Sequence, residues 1–241
     1  MMTTITARGL ASRAIRQAAV AFGALLVFAS VAAAQGYTAS TVTAAPPAEL
    51  SAAVRASLSD QAIEVKGPQG EFCELWLRQE IPAAATAPMA LGVVYSQLTP
   101  GTLVGAIQFP AQVVDFRNQK IKPGVYTLRY ELSPVNGNHQ GVAPQRDFLL
   151  LSPPAADTTA DTLDFKALVK LSRETVSSGH HPSVWSLTAA DGAPAQLPAV
   201  AAQDSDNGTI QVLFFNANMG PAGAAKPTPV ALVIVGVSSA S

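Results

Sequence analysis

Cysteine is almost missing from this 241-residue chain, where Cys73 stands alone. A single thiol forms no internal disulfide and builds no zinc ribbon, so neither device can staple the fold. Charge is thin as well, at 13% of residues against about 25% in an ordinary globular protein. Its signs nearly cancel, with 15 basic against 16 acidic groups, which leaves no field for holding nucleic acid. The sequence also lacks every strong catalytic signature: no G-x-S-x-G elbow, no H-E-x-x-H, no C-x-x-C, no P-loop and no G-x-G-x-x-G. Gly (17) and Pro (18) are too few for a low-complexity chain. These absences point away from an enzyme and toward a binding or structural role.

What is present begins with an export signal. Arg8, Arg13 and Arg16 form a positive leader, Ala18 to Ala29 is an apolar run of 12 residues, and Ala32 and Ala34 place an A-x-A cut before Gln35. The run is short for a bilayer core, which takes about 20 residues to cross, so residues 1–34 read as a cleaved signal peptide and not as a retained anchor. Cleavage removes three arginines and no acid, moving the formal charge from −1 to −4. No later stretch reaches membrane length, so the expected location is secreted or periplasmic, with no membrane span after cleavage.

Residues 35–48, made of Ala, Thr, Ser and Pro with little to bury, read as a flexible linker, and 49–241 as a single domain. Glu49 to Leu58 carries Leu50, Val54 and Leu58 at helical spacing. After Asp60 the period changes to two. Ala62–Lys66 and Phe72–Ile81 flank the Gly67-Pro68-Gln69-Gly70 turn and predict a hairpin. Further strands are expected at 91–95, 103–109, 113–116, 125–132, 147–151, 184–188, 210–216 and 230–237, punctuated by Gly, Pro and Asn turns. A helix is expected over Leu163–Val176, with Asp161 as its cap. Successive strands without alternating long helices predict a mainly β fold: an antiparallel β-sandwich of about ten strands with one or two short helices.

Few residues carry chemistry. His139 lies in a polar insertion before Asp147, and His180-His181-Pro182 leads into a later strand. If those loops share one end of the sandwich, His139, Asp147 and His181 form a two-histidine, one-carboxylate set for a divalent metal. Adding Ser172 to the same groups gives a hydrolase arrangement. The alternative is solvated loop residues, with Asp147 paired to Arg146 or holding a turn. The run Asp204-Ser205-Asp206-Asn207-Gly208 falls short of a calcium loop and reads as a type I′ Asn-Gly turn. Cys73 falls on the apolar face of its strand, as an inert buried thiol. Tyr126, Leu128 and Tyr130 share a face that reads as core, leaving Arg129 and Glu131 toward water.

The segment Lys120-Ile-Lys-Pro-Gly-Val-Tyr-Thr-Leu-Arg-Tyr130 feeds a Tyr/Leu strand from the Pro123-Gly124 turn. Together with Glu74–Arg78, Gly137–Gly141, Arg146–Leu151 and Leu168–Ser172, it resembles a family of exported bacterial β-sandwich proteins to which no activity is attached. The resemblance implies fold and export, with Gly124 and Tyr126 as structural residues of the turn. The reading is therefore an exported, non-catalytic binding or structural accessory module with no cofactor, recognising a protein or a small polar ligand. The alternative is a metal-binding protein or metal-dependent enzyme using the loop histidines.

Overall fold

Period-two patterning and turn residues carry most of the chain into strands. The computed structural model describes residues 36–135 and 145–238. In order, the elements are β1 (Thr38–Thr43), α1 (Ala52–Ser57), β2 (Leu58–Gly67), β3 (Gly70–Arg78), β4 (Ile81–Pro82), β5 (Leu103–Phe109), β6 (Val113–Val114) and β7 (Lys120–Ile121). They continue with β8 (Gly124–Leu132), β9 (Asp147–Ser152), α2 (Phe165–Arg173), β10 (Trp185–Thr188), β11 (Ala199–Ser205), β12 (Gly208–Gly220) and β13 (Lys226–Val235). The fold is mainly β, as expected, with two short helices.

One 11-stranded sheet runs β1-β2-β3-β5-β8-β9-β10-β13-β12-β11, with β4 added beside β12; β6 and β7 form a small separate pair. The pairings are antiparallel except β4 with β12, which makes the sheet mixed. Strand β10 turns the corner. Trp185 and Ser186 pair with β9, and Leu187 and Thr188 pair with β13. The two ends of the order, β1 and β11, approach each other. Ile63, Leu75, Ile107 and Leu128 from the first half share one core with Leu213, Phe215 and Leu232 from the second.

Two more apolar clusters cover outward faces. Helix α1 places Val54 beside Trp76, Leu103 and Ala106, and α2 places Leu168 beside Phe148 and Leu150. Strands β5, β8 and β9 are therefore buried on both faces. This overturns the expectation that Arg129 and Glu131 face water: they are 0% and 3% exposed.

Local differences have local causes. The segment expected as a flexible linker contains β1, whose six residues pair with Gln61–Lys66. Backbone pairing needs no large side chains, and the Trp76 indole N–H donates to the Ala44 carbonyl at 2.9 Å, fixing the chain beyond it. The α2 cap is Asp164, whose carboxylate accepts from the N–H groups of Lys166 and Ala167, and not Asp161. The hairpin at 205–208 turns on Asp206-Asn207, with Gly208 at φ 105° outside the two-residue loop. Asn207 is not among the positive-φ residues, so the turn is not the expected type I′ Asn-Gly turn.

Candidate functional site

Asp147 opens β9 and is fully buried. Its Oδ2 accepts from the Val94 N–H (2.8 Å), and its Oδ1 accepts from the Tyr95 N–H (2.9 Å) and the Tyr130 hydroxyl (2.7 Å). Burial and the adjacent carboxylate push the Tyr130 hydroxyl pKa well up, so it stays protonated as a donor. Asp147 thus holds residues 94–95, which explains why 91–95 is not the expected strand: the amides a ladder would use are taken by a side chain. Tyr95 then seats its hydroxyl where β10 and β13 part, donating to the Thr188 carbonyl and accepting from the Ala231 N–H, both at 2.9 Å. Burial raises this phenol to about 12. Tyr95 and Leu98, both in the inner core, plug this end of the fold.

Of the proposed metal set, the described members Asp147 and His181 do not come together. The Ser183 hydroxyl accepts from the Leu151 N–H (2.9 Å), and the Pro182 carbonyl accepts from the Gln119 side chain (2.9 Å) in the β6–β7 turn. Exposed His181 therefore lies beyond the Ser152 end of β9, a strand length of roughly 17 Å from Asp147 at about 3.3 Å per residue. His139 lies outside the described residues. Among the described residues no three His, Cys, Asp or Glu side chains gather as a metal site. Nor is Ser172 placed as a nucleophile. It is buried, 2.9 Å from the Ser183 hydroxyl, and accepts from the Ser183 N–H at 3.0 Å.

Two other sequence-selected residues have structural roles. Cys73 is wholly buried in the inner core, and desolvation raises its thiol pKa far above the ordinary value. Tyr126 donates its hydroxyl to the Lys122 carbonyl (2.9 Å), closing the turn that Gly124 makes at φ 147°.

Sequence reading missed the buried Arg129–Asp157 pair. Arg129 Nε and Nη2 each donate to the Asp157 carboxylate at 2.7 Å, and the Thr127 hydroxyl donates to it at 2.5 Å. The remaining guanidinium hydrogens go to the carbonyls of Gly101, Thr159 and Asp161 at 2.6–2.8 Å. All five donors are used, and the pair fastens the 153–161 loop over β8 as an internal clamp. Strand alternation alone gives no sign that a distant loop supplies the carboxylate.

The end opposite the Tyr95 plug carries a cleft. The cleft, of about 440 Å³, lies between the β2–β3 turn, the start of β6 and the end of β13. Tyr37 and Phe72 form one wall and Val113, Val114, Ile234 and Val235 the other. The Tyr37 and Phe72 rings meet edge to face at 5.4 Å, and Phe72 continues to Phe109 (6.2 Å), which stacks on Trp185 (5.1 Å). Phe72 joins this ladder because a register shift at Val65/Lys66 turns it toward the core beside Cys73, where unbroken alternation would place it on the face of Glu74. Among known proteins the chain matches no family model, no curated protein and no solved structure.

Proposed function

We propose that the chain is an exported, non-catalytic binding module of the β-sandwich class, secreted or periplasmic, that holds a ligand in the cleft beside Tyr37 and Phe72. The observation that carries the reading is this cleft. What sets it apart from other depressions of similar volume is its aromatic wall, which is braced into the core. Of the polar residues considered for a site, Asp147 and Ser172 hold structural hydrogen bonds.

Titration with Nile red, a neutral apolar fluorophore, tests the reading. Saturable enhancement near one dye per chain is expected, with affinity at least fivefold weaker in Val114→Glu, which puts a charge on a lining residue that is 40% exposed. Unchanged far-UV circular dichroism controls for folding. Absence of saturable binding, or equal affinity in the variant, counts against the cleft. Stoichiometric metal in untagged protein that disappears in the His139→Ala/His181→Ala double variant favours the metal reading instead. Export is tested by mass: protein recovered from the host envelope is expected to begin at Gln35, and an intact N-terminus contradicts release.

A further inference from the structure

We propose that the outward face of α2 docks on an anionic phospholipid bilayer, with Lys166, Lys170 and Arg173 meeting the headgroups and Phe165 entering between them. The inference is independent of the cleft and leaves that reading unchanged.

The inner side of α2 belongs to the fold. Leu168 and Ser172 are fully buried, and Leu168 packs in one cluster with Phe148 and Leu150 of β9. At about 100° per residue, Lys166, Lys170 and Arg173 fall within roughly 60° of one another on the opposite side. All three are exposed. Phe165 and Val169, one turn apart, border this cationic strip, and Phe165 leaves 49% of its surface to solvent. The strip and its apolar border line one surface depression together with Glu174. Lys and Arg beside an exposed aromatic ring is the make-up of interfacial helices.

Positive charge collects here against the trend of an acidic chain. Residues 117–122 and 165–173 hold six of the 12 basic groups that follow Gln35 and none of the 16 acids. The two segments adjoin: Ile121 bridges to Val176, and the Ser177 N–H donates to the Lys120 carbonyl at 3.0 Å. Exposed Lys120 and Lys122 therefore lie next to the end of α2. The bordering acids are accounted for. Asp115 is buried and accepts from the N–H groups of Arg117, Gln119 and Val184. Asp161 and Asp164 precede the helix, Asp161 accepting from the Thr159 hydroxyl and Asp164 serving as the cap. Glu174 follows it, to one side of the strip. Among the described residues the ion pairs are Lys66–Glu64 and Arg129–Asp157, so no internal carboxylate pairs with the three α2 cations. Charge alone suits any polyanion. The exposed ring beside it favours a surface with anionic headgroups over an apolar interior.

Vesicle flotation tests the docking, using chain recovered after export from its host. Vesicles are pure phosphatidylcholine, or phosphatidylcholine and phosphatidylglycerol in equal parts. Binding is expected to the mixed vesicles and to weaken in added salt. Lys166→Gln/Lys170→Gln/Arg173→Gln keeps good helix formers and is expected to weaken it by roughly tenfold or more. Arg55→Gln/Lys66→Gln/Lys226→Gln removes the same charge from other elements and is expected to stay within about twofold, since the effect belongs to charges near the surface. Phe165→Ser is expected to cost about threefold through the lost apolar contact. All variants share one N-terminus, so differences among them report the substituted residues, and unchanged far-UV circular dichroism controls for folding. Equal binding to the two vesicle types, a triple α2 variant that binds like wild type, or a control triple that loses as much overturns the proposal. A charge effect with no loss in Phe165→Ser, matched by equal affinity for soluble polyphosphate, also overturns it in favour of a polyanion. None of these outcomes bears on the cleft, which the Nile red titration tests separately.

Discussion

At the scale of single residues, the largest effects belong to charges inside the protein. Arg129 and Asp157 are both fully buried, and each would be costly alone. Removing one partner leaves the other as an uncompensated buried ion, typically a loss of 3–5 kcal/mol. Arg129→Met is therefore expected to lower stability by about that amount in urea denaturation. Adding Asp157→Leu should recover a good part of the loss, because no buried ion then remains. A double variant as unstable as the sum of the singles would show that the clamp acts through its carbonyl contacts and not its charge. Glu131 gives the complementary case. Its Oε1 accepts from the Leu132 N–H, its Oε2 has no partner among the described residues, and burial raises its pKa above the ordinary glutamate value. A carboxyl with a raised folded pKa holds its proton longer when folded, so stability falls as pH rises from the unfolded value, about 4.3, through the folded one. Glu131→Gln removes that term. The wild type is expected to lose stability relative to this variant across that window and to show a constant difference above it. Parallel pH profiles would show that Glu131 ionises alike in both states.

At the scale of elements, the Tyr95 plug is held by two hydrogen bonds to the backbone of Thr188 and Ala231, the last pair of the β10–β13 ladder. Tyr95→Phe keeps the ring and removes the hydroxyl, leaving a buried carbonyl and amide to find other partners. The expected cost is about 1–3 kcal/mol, with faster hydrogen exchange at the Ala231 amide as the local readout. Unchanged exchange there would place the hydroxyl outside the junction. This plug also marks where sequence legibility stops. Strands such as Leu103–Phe109 and Gly124–Leu132 were readable because apolar, β-branched and aromatic side chains recur between turn residues. Strands β1 and β11 were not, because TASTVT and AVAAQDS bury little and show no clear apolar alternation, even though the Thr and Val of β1 suit a strand. The covering layers were equally silent. Alternation separates the two faces of a strand but does not say that α1, α2 and the 153–161 loop bury the second face, so Arg129 read as solvated. The candidate site was the least legible part. Asp147 was found as a carboxylate of consequence, but its role depends on amides 52 and 53 residues earlier in the chain. The cleft draws Tyr37, Phe72, Val114 and Ile234 from four separate segments.

At the scale of the whole molecule, the question is whether the first described strand belongs to the fold or merely leads into it. Strand β1 contributes six ladder partners to β2. Hydrogen bonds of roughly 0.5–1.5 kcal/mol net each are nearly offset by about 1–2 kcal/mol of backbone entropy per ordered residue. The ladder by itself therefore decides little, and side-chain burial sets the sign. Tyr37 and Ala39 pack on the inner core, and Val42 packs on the cluster beneath α1. Partial burial of these three is worth roughly 2–3 kcal/mol at about 25 cal/mol per Å². Deleting residues 36–43 should therefore lower stability by about that amount. It also uncovers the edge of β2 and removes the neighbour of β11, and an uncovered strand edge is a template for pairing with another chain. Concentration-dependent association in light scattering is expected to accompany the loss of stability. Retention of the full denaturation midpoint by a monomeric truncated chain would return residues 36–43 to the role of a linker.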